Sequence, residues 1–304
     1  MTFVHGPVRV SVPATSANLG PGFDSFGLAL ELRDELTASV TGEGLRVDVV
    51  GEGEGHVSRD ETHLVVRAMR ATFGALEESP TGLHLRCHNR IPHARGLGSS
   101  SAAIVGGIAL ARALVSDGDE RLDDGRALAI ATAIEGHPDN VAPAISGGFV
   151  ISGQTGAEVW AEMPPLDERI RAVAFVPPGE LSTAVARSLL PATVPHVDAA
   201  ANAGRAALLV AALGQAPQRL LRATEDFLHQ EYRRRAMPDS LVLLDRLRED
   251  EHAAVVSGAG PTVLVLTAAA DLDPFSAYCP EGWRCLPLEV ATSGVLVHGR
   301  GQGA

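Results

Sequence analysis

The segment IPHARGLGSSS, residues 91–101, has the residue types of an anion cradle. Small residues at the start of a helix let main-chain N–H groups converge on a phosphate, and the helix dipole adds partial positive charge there. Gly96 and Gly98 remove Cβ atoms that would hold phosphates away, and they permit positive φ. Ser99, Ser100 and Ser101 place hydroxyls at the N-cap and first turn. One is expected to cap the helix, and another to bind a cation on the β- and γ-phosphates. Taken alone, Gly-Leu-Gly-Ser-Ser fits a plain turn before a serine-capped helix equally well. A dinucleotide site is a minor option, because the spacing is not GxGxxG and no acidic residue ends a following parallel strand at the required distance.

Other groups that could do chemistry stand in three further segments. Asn18 and Asp24 lie in ATSANLGPGFDSFG (residues 14–27), and Glu135, His137, Asp139 and Asn140 lie in EGHPDNVAPAISGGF (residues 135–149). Arg233 opens a run of three arginines. One by one these residues have bland readings: Asn18 and Asp24 as turn formers, Arg233 as surface charge, His137 as a brace before Pro138. The chain contains no lysine. That excludes a lysine Schiff base, a Walker loop ending in Gly-Lys-Ser/Thr and the strand lysine of protein kinases.

The elements that must carry these groups follow from periodicity. Val8, Val10 and Val12 alternate with Arg9 and Ser11, predicting a strand that Pro13 ends, with residues 14–27 as a loop. Leu83, Leu85 and Cys87 predict a strand running into the glycine segment, and Ile104, Ile108, Ala111 and Val115 a helix after it. Further helices are expected over residues 125–134, 198–213, 218–228 and 240–248, and strands over 171–176, 255–256, 262–266, 284–290 and 294–297. Pro138 and Pro143 preclude a long helix between them and their neighbours. A soft domain boundary is expected in the Gly-, Pro- and acid-containing stretch 153–165.

At 304 residues the chain suits one long or two moderate domains, with an aliphatic core because only 4% of residues are aromatic. A net charge of −12 argues against a nucleic-acid partner, which needs basic surface to displace counterions. Three widely spaced cysteines fit neither a disulfide framework nor a zinc cluster, so a reducing cytoplasm is expected. The N-terminus has no basic-then-apolar pattern and no run of about 18 apolar residues is seen, so neither export nor a membrane partner is expected.

IPHARGLGSSSAA resembles the ATP-binding motif of the GHMP kinases, the superfamily of galactokinase, homoserine kinase and mevalonate kinase. VPATSANLGPGFDSFGLAL (residues 12–30) is similar to its N-terminal motif, and SGAGPTVLVL (residues 257–266) to its glycine-rich third motif. EGHPDNVAPAISGGF, STAVARSLLP (residues 182–191) and DFLHQEYRRRAMP (residues 226–238) resemble blocks of the homoserine kinase branch. The six blocks keep the expected order over roughly residues 8 to 267. His93 stands where an apolar residue is frequent, and Ser101 where alanine is. The missing N-terminal lysine weakens a mevalonate reading.

The resemblance implies an α+β protein with the GHMP kinase fold: an N-terminal domain like ribosomal protein S5 domain 2 (residues 1–160) and a C-terminal ferredoxin-like domain (161–304), with the site between them. It implies ATP-dependent phosphorylation of the L-homoserine hydroxyl to O-phospho-L-homoserine in threonine biosynthesis, in a cytoplasmic enzyme that could form a homodimer. The nucleotide would be held by Pro92, Arg95, Gly96, Leu97, Gly98, Ser99, Ser100 and Ser101, and Mg2+ by Ser100 and Glu135. Asp24, with Asn18, is the candidate for the substrate ammonium, and Arg187 and Arg233 for its carboxylate. His137, Asn140 and Thr183 would line the same pocket. Asp139 matches the catalytic aspartate of mevalonate kinases, whereas in the homoserine branch Asn140 could face the substrate and the proton leave without a dedicated base. The rivals are a GHMP kinase acting on another alcohol and a non-catalytic, ligand-sensing relative.

Overall fold

The computed structural model describes residues 2–298. In the first half, β1 (Val8–Asn18), β2 (Gly22–Thr41), β3 (Gly44–Gly51), α1 (Leu64–Ala75), β4 (Gly82–Asn89), α2 (Ser99–Leu114), α3 (Gly118–Arg121), α4 (Asp124–Glu135), α5 (Pro138–Ser146), β5 (Phe149–Thr155) and β6 (Glu158–Glu162) follow one another. The second half contributes β7 (Arg171–Val176), α6 (Thr183–Ser188), α7 (His196–Gly214), α8 (Leu220–Ala223), α9 (Pro238–Glu249), β8 (Ala253–Val256), β9 (Val263–Thr267), β10 (Arg284–Glu289) and β11 (Leu296–His298).

Two sheets result among the described residues. The larger has the order β11-β1-β2-β4-β3, with β5 pairing the start of β2 and β6 pairing β5. Its pairs are antiparallel except β3 with β4, which α1 joins as a crossover. The smaller sheet is antiparallel with the order β10-β7-β9-β8, the 4-1-3-2 order of a ferredoxin-like sheet. In β7, Ala172, Ala174 and Val176 join the large core, while Val173 and Phe175 face a second core with Leu241, Leu244 and Leu247 of α9. Cover on both faces explains why RAVAFV reads as a continuous apolar run.

The expectation for residues 8–27 needs correcting. Strand β1 does not stop at Pro13: it continues to Asn18 with a register shift between Pro13 and Ala14, and β2 begins at Gly22. A bulge is a position where a sheet accepts proline. Only residues 19–21 form the turn. Asn18 Nδ2, Gly258 N and Ser257 Oγ tie this end of β1 to the β8–β9 turn, and Asn202 Nδ2 of α7 donates to Pro21 O at 2.8 Å. Long-range bonds replace the loop that turn-forming residues suggest.

One other difference matters. Residues 218–228 form no continuous helix: α8 ends at Ala223, and Asp226 then accepts from the backbone N–H groups of Leu228, His229 and Gln230. The carboxylate competes for the bonds that a helix would make internally. Helix α7, rich in alanine, is the one helix among the described residues long and apolar enough by length and composition to cross a membrane, although His196, Asp198, Asn202 and Arg205 interrupt its apolar sequence. It carries Asp198 and Arg205 and packs Leu209, Ala212 and Leu213 into the large core. The expected boundary stretch 153–165 holds the end of β5 and all of β6.

Candidate active site

A cleft of about 630 Å3 lies where the glycine segment, the end of β1, the β8–β9 turn and α6 meet. Its lining includes Asn18, Gly96, Gly98, Ser99, Ser100, Glu135, His137, Asp139, Asn140, Thr183, Arg187 and Arg233, so residues far apart in sequence are brought together. Asp24, Pro92, Arg95, Leu97 and Ser101 do not line it. Leu97 is fully buried, and the Arg95 guanidinium bonds to Pro177 O, Pro178 O and Glu180, clamping the glycine segment to the loop before α6.

The N-cap of α2 is Gly98, at φ 69°, with no side-chain cap, so the expectation of a capping serine is corrected. The first-turn N–H groups therefore keep no side-chain partner, which leaves them suited to an anion. A Cβ on Gly98 would sit 1.9 Å from Thr15 Oγ1, and one on Gly96 2.2 Å from Ser257 O. Both glycines are needed for close approach as well as for positive φ. Thr15 is the hidden brace: its N–H donates to Leu97 O at 3.1 Å and its hydroxyl to Asn140 Oδ1 at 2.8 Å.

On the α4–α5 side, Ser100 Oγ donates to Glu135, with the two carboxylate oxygens at 2.5 and 2.6 Å, and Ser101 Oγ donates to Oε1 at 2.9 Å. A hydroxyl and a carboxylate are hard oxygen donors, a set that suits Mg2+ completed by phosphates and water. No cluster of three or more His, Cys, Asp or Glu groups suited to a metal occurs among the described residues. His137 Nδ1 lies 2.5 Å from Asp139 Oδ1, and Asn140 Nδ2 is 3.4 Å from the same oxygen. The hydrogen bond to Asp139 raises the His137 pKa above its ordinary value, outweighing burial.

The opposite end of the cleft carries two guanidinium groups. Arg187 Nη1 and Nη2 donate to Asp24 Oδ2 and Oδ1 at 3.0 and 2.6 Å, and this bond raises the Arg187 pKa. Asp24, at φ 56°, is held from behind by its own N–H, which donates to Asn18 Oδ1 at 3.0 Å. Arg233 is only 1% exposed. Its Nη1 donates to His229 Nδ1 and Gly258 O, its Nε has no partner, and burial followed by the nearby Arg187 pushes its pKa down to about 10. Arg233 lines the cleft, and a buried cation with an unpaired donor calls for an anionic partner.

A second recess of about 830 Å3 adjoins the first across Ser99 and Ser100. Asp34, Val57, Thr62, His63, Val65, Asn89 and His93 line it. His63 Nδ1 is buried and unpartnered, and burial lowers the pKa of both His63 and His93. The sequence reading missed this wall, as it missed Thr15, Phe23 and His229. Phe23 and His229 sit inside the family motifs, where the charged side chains carry the ligand chemistry; residues 57–65 offered no local signal.

Comparison with known proteins agrees with this geometry. The family model described as the GHMP kinases N terminal domain matches residues 63–148. A homoserine kinase of Streptomyces avermitilis is 54% identical over 296 residues, covering 97% of each chain, and one of Clavibacter michiganensis is 50% identical over 298, covering 95% of this chain and 93% of its own. Among solved structures, homoserine kinase from Cytophaga hutchinsonii superposes with a TM-score of 0.84 at 23% identity, covering 98% and 99% of the two chains. Mevalonate kinase from L. major, in complex with R-mevalonate, gives 0.66 at 14% identity, covering 96% and 98%. These two show a shared fold. With a helix N-terminus open to phosphate at one end, paired arginines at the other, and half of all positions shared along nearly the whole chain, the protein belongs to the homoserine kinase family of the GHMP kinases.

Proposed function

We propose that the chain catalyses ATP-dependent phosphorylation of the L-homoserine hydroxyl, giving O-phospho-L-homoserine and ADP on the route to threonine. The observation that carries this reading is the layout of one cleft: the uncapped start of α2 faces a site whose far end holds Arg187 and Arg233, with Asp24 bonded to Arg187. An amino-acid substrate needs a carboxylate for its ammonium and cations for its carboxylate, and no neutral alcohol needs both.

Backbone N–H groups of Gly96, Gly98, Ser99 and Ser100 would cradle the phosphates, with the nucleoside in the recess of His63, Asn89 and His93. Mg2+ held by Ser100 and Glu135 would supply charge neutralisation on the phosphate oxygens. Asp24 and Asn18 would take the ammonium, Arg187 and Arg233 the carboxylate, and His137, Asn140 and Thr183 would line the path of the hydroxyl. In the transfer, the hydroxyl oxygen forms a bond to the γ-phosphorus as the bond to the β-phosphate oxygen breaks. With no lysine available, the His137 imidazolium favoured by Asp139 is a source of positive charge beside this path. Asp139 Oδ1 is already engaged by His137 and Asn140, which supports a holding role for it and loss of the hydroxyl proton to a phosphate oxygen or water.

The sheet memberships support dividing the chain near residue 160 into a nucleotide-binding part and a ferredoxin-like part, with β11 returning to the first sheet. Family membership also supports a cytoplasmic homodimer. The substrate reading is tested by coupled ADP release with homoserine, serine, threonine, mevalonate and shikimate. Release with homoserine above the others is expected. Silence with homoserine and robust release with another alcohol overturns it.

A further inference from the structure

One aromatic ring lies beside both of the arginines that line the cleft. The Cζ atoms of Arg187 and Arg233 each lie 5.6 Å from the centroid of Phe23, and the His229 imidazole stacks on the same ring at 5.1 Å and 26°. Both guanidinium distances fall within the range where a ring face attracts a cation. The ring is half-buried and does not line the cleft, so it meets the arginines and not the ligand.

The stack is fixed from behind. His229 is fully buried, lies 2.8 Å from Gly20 O through Nε2, and receives Arg233 Nη1 at Nδ1. That pairing makes it a neutral imidazole with its hydrogen on Nε2, and burial lowers its pKa in agreement. Phe23 is in turn held by its neighbours: Gly22 pairs with Asn18 across the hairpin, and Asp24 is bonded to Arg187. Arg187 and Arg233 repel one another, and this repulsion adds to the larger effect of burial in lowering the Arg233 pKa. A ring presenting negative π density to both lessens that repulsion and sets the separation of the two forks.

We propose that Phe23, backed by His229, is a positioning residue that spaces Arg187 and Arg233 to receive one carboxylate, so that it governs substrate affinity and selection for a carboxylate-bearing alcohol. This rests on the homoserine reading above.

The test compares the full-length protein with Phe23→Leu and Phe23→Tyr, using homoserine and 3-aminopropan-1-ol, which is homoserine without its carboxylate. Leucine removes the ring face and tyrosine keeps it. Phe23→Leu is expected to raise the KM for homoserine about 10-fold, the effect of a partly desolvated cation–π pair, with kcat and the KM for ATP within about twofold. Phe23→Tyr is expected to restore the KM for homoserine, and kcat/KM for 3-aminopropan-1-ol to stay level across all three proteins. Should Phe23→Leu fail to fold, Phe23→Met makes the same comparison. An unchanged homoserine KM in the ring-less variant, or an equal loss on both alcohols, overturns the proposal while leaving the substrate reading intact. No turnover of homoserine by the unsubstituted protein overturns both.

Discussion

Arg187 and Asp24 share two hydrogen bonds, at 2.6 and 3.0 Å, across 163 residues of sequence. The pair links α6 to the start of β2 and sets a carboxylate beside a guanidinium at the end of the cleft. A zwitterion fits such a pair, because its ammonium and carboxylate can each engage one member, exchanging one ion pair for two. A neutral alcohol offers nothing in return.

Arg187→Met is therefore expected to raise the KM for homoserine about 10–100-fold, the effect of losing one charge-assisted hydrogen-bonded contact, with the KM for ATP nearly unchanged. Steady-state kinetics varying each substrate in turn checks this. A rise in both KM values would mean that the substitution disturbs the whole cleft.

Removing the metal-side carboxylate should act on a different axis. Glu135→Gln keeps the size and an acceptor oxygen for Ser100 and Ser101 while losing the charge. The Mg2+ concentration for half-maximal rate is expected to rise at least about 10-fold, with saturating Mg2+ restoring much of the rate. An unaltered Mg2+ dependence would remove Glu135 from the metal site.

Asp139→Asn is expected to lower kcat less than ~100-fold, the low end for losing a general base. The variant loses the partner that favours His137 as a cation, so the remaining effect should come from that loss. Complete loss of turnover with ATP binding intact, measured by calorimetry, would show that Asp139 is the base.

Asp34 offers a stability test. Burial raises its pKa from 3.8 to about 6, while the N–H groups of Arg90 and Ile91, both donating to Oδ1, pull the other way. A raised carboxyl pKa contributes stability that is present below the unfolded value and is lost as pH rises through 6, so at pH 8 the ionised group is a net cost. Asp34→Asn keeps the Oδ1 acceptor. It is expected to stabilise the protein by about 2–3 kcal/mol at pH 8, with the gain fading towards pH 4. Denaturant unfolding at several pH values checks it; a destabilised variant at pH 8 would mean that the charge is compensated.

Local pattern made much of this protein legible in advance. The phosphate cradle depends on backbone freedom at Gly96 and Gly98 and on a helix start, and both are written in consecutive residues. The strand, glycine segment, helix order was readable for the same reason, as were β7, α9 and the β8–β9 pair, whose periodicities are their own. Residues 8–27 were misread because their turn formers are overruled by bonds from residues more than 180 positions away.

The site's other half belongs to the tertiary structure. Three consecutive arginines look alike in sequence, yet Arg233 is buried against Phe23 and His229 while Arg234 pairs with Glu231 and Asp245 on the outside. Likewise three consecutive serines divide their work: Gly98 takes the N-cap position of α2, and Glu135 arrives from another helix to receive the hydroxyls of Ser100 and Ser101. Composition and spacing decide which backbone shapes are allowed and which family blocks are present. Which of several identical side chains meets the cleft is decided by elements distant in sequence, since burial and charge pairing are properties of the packed chain.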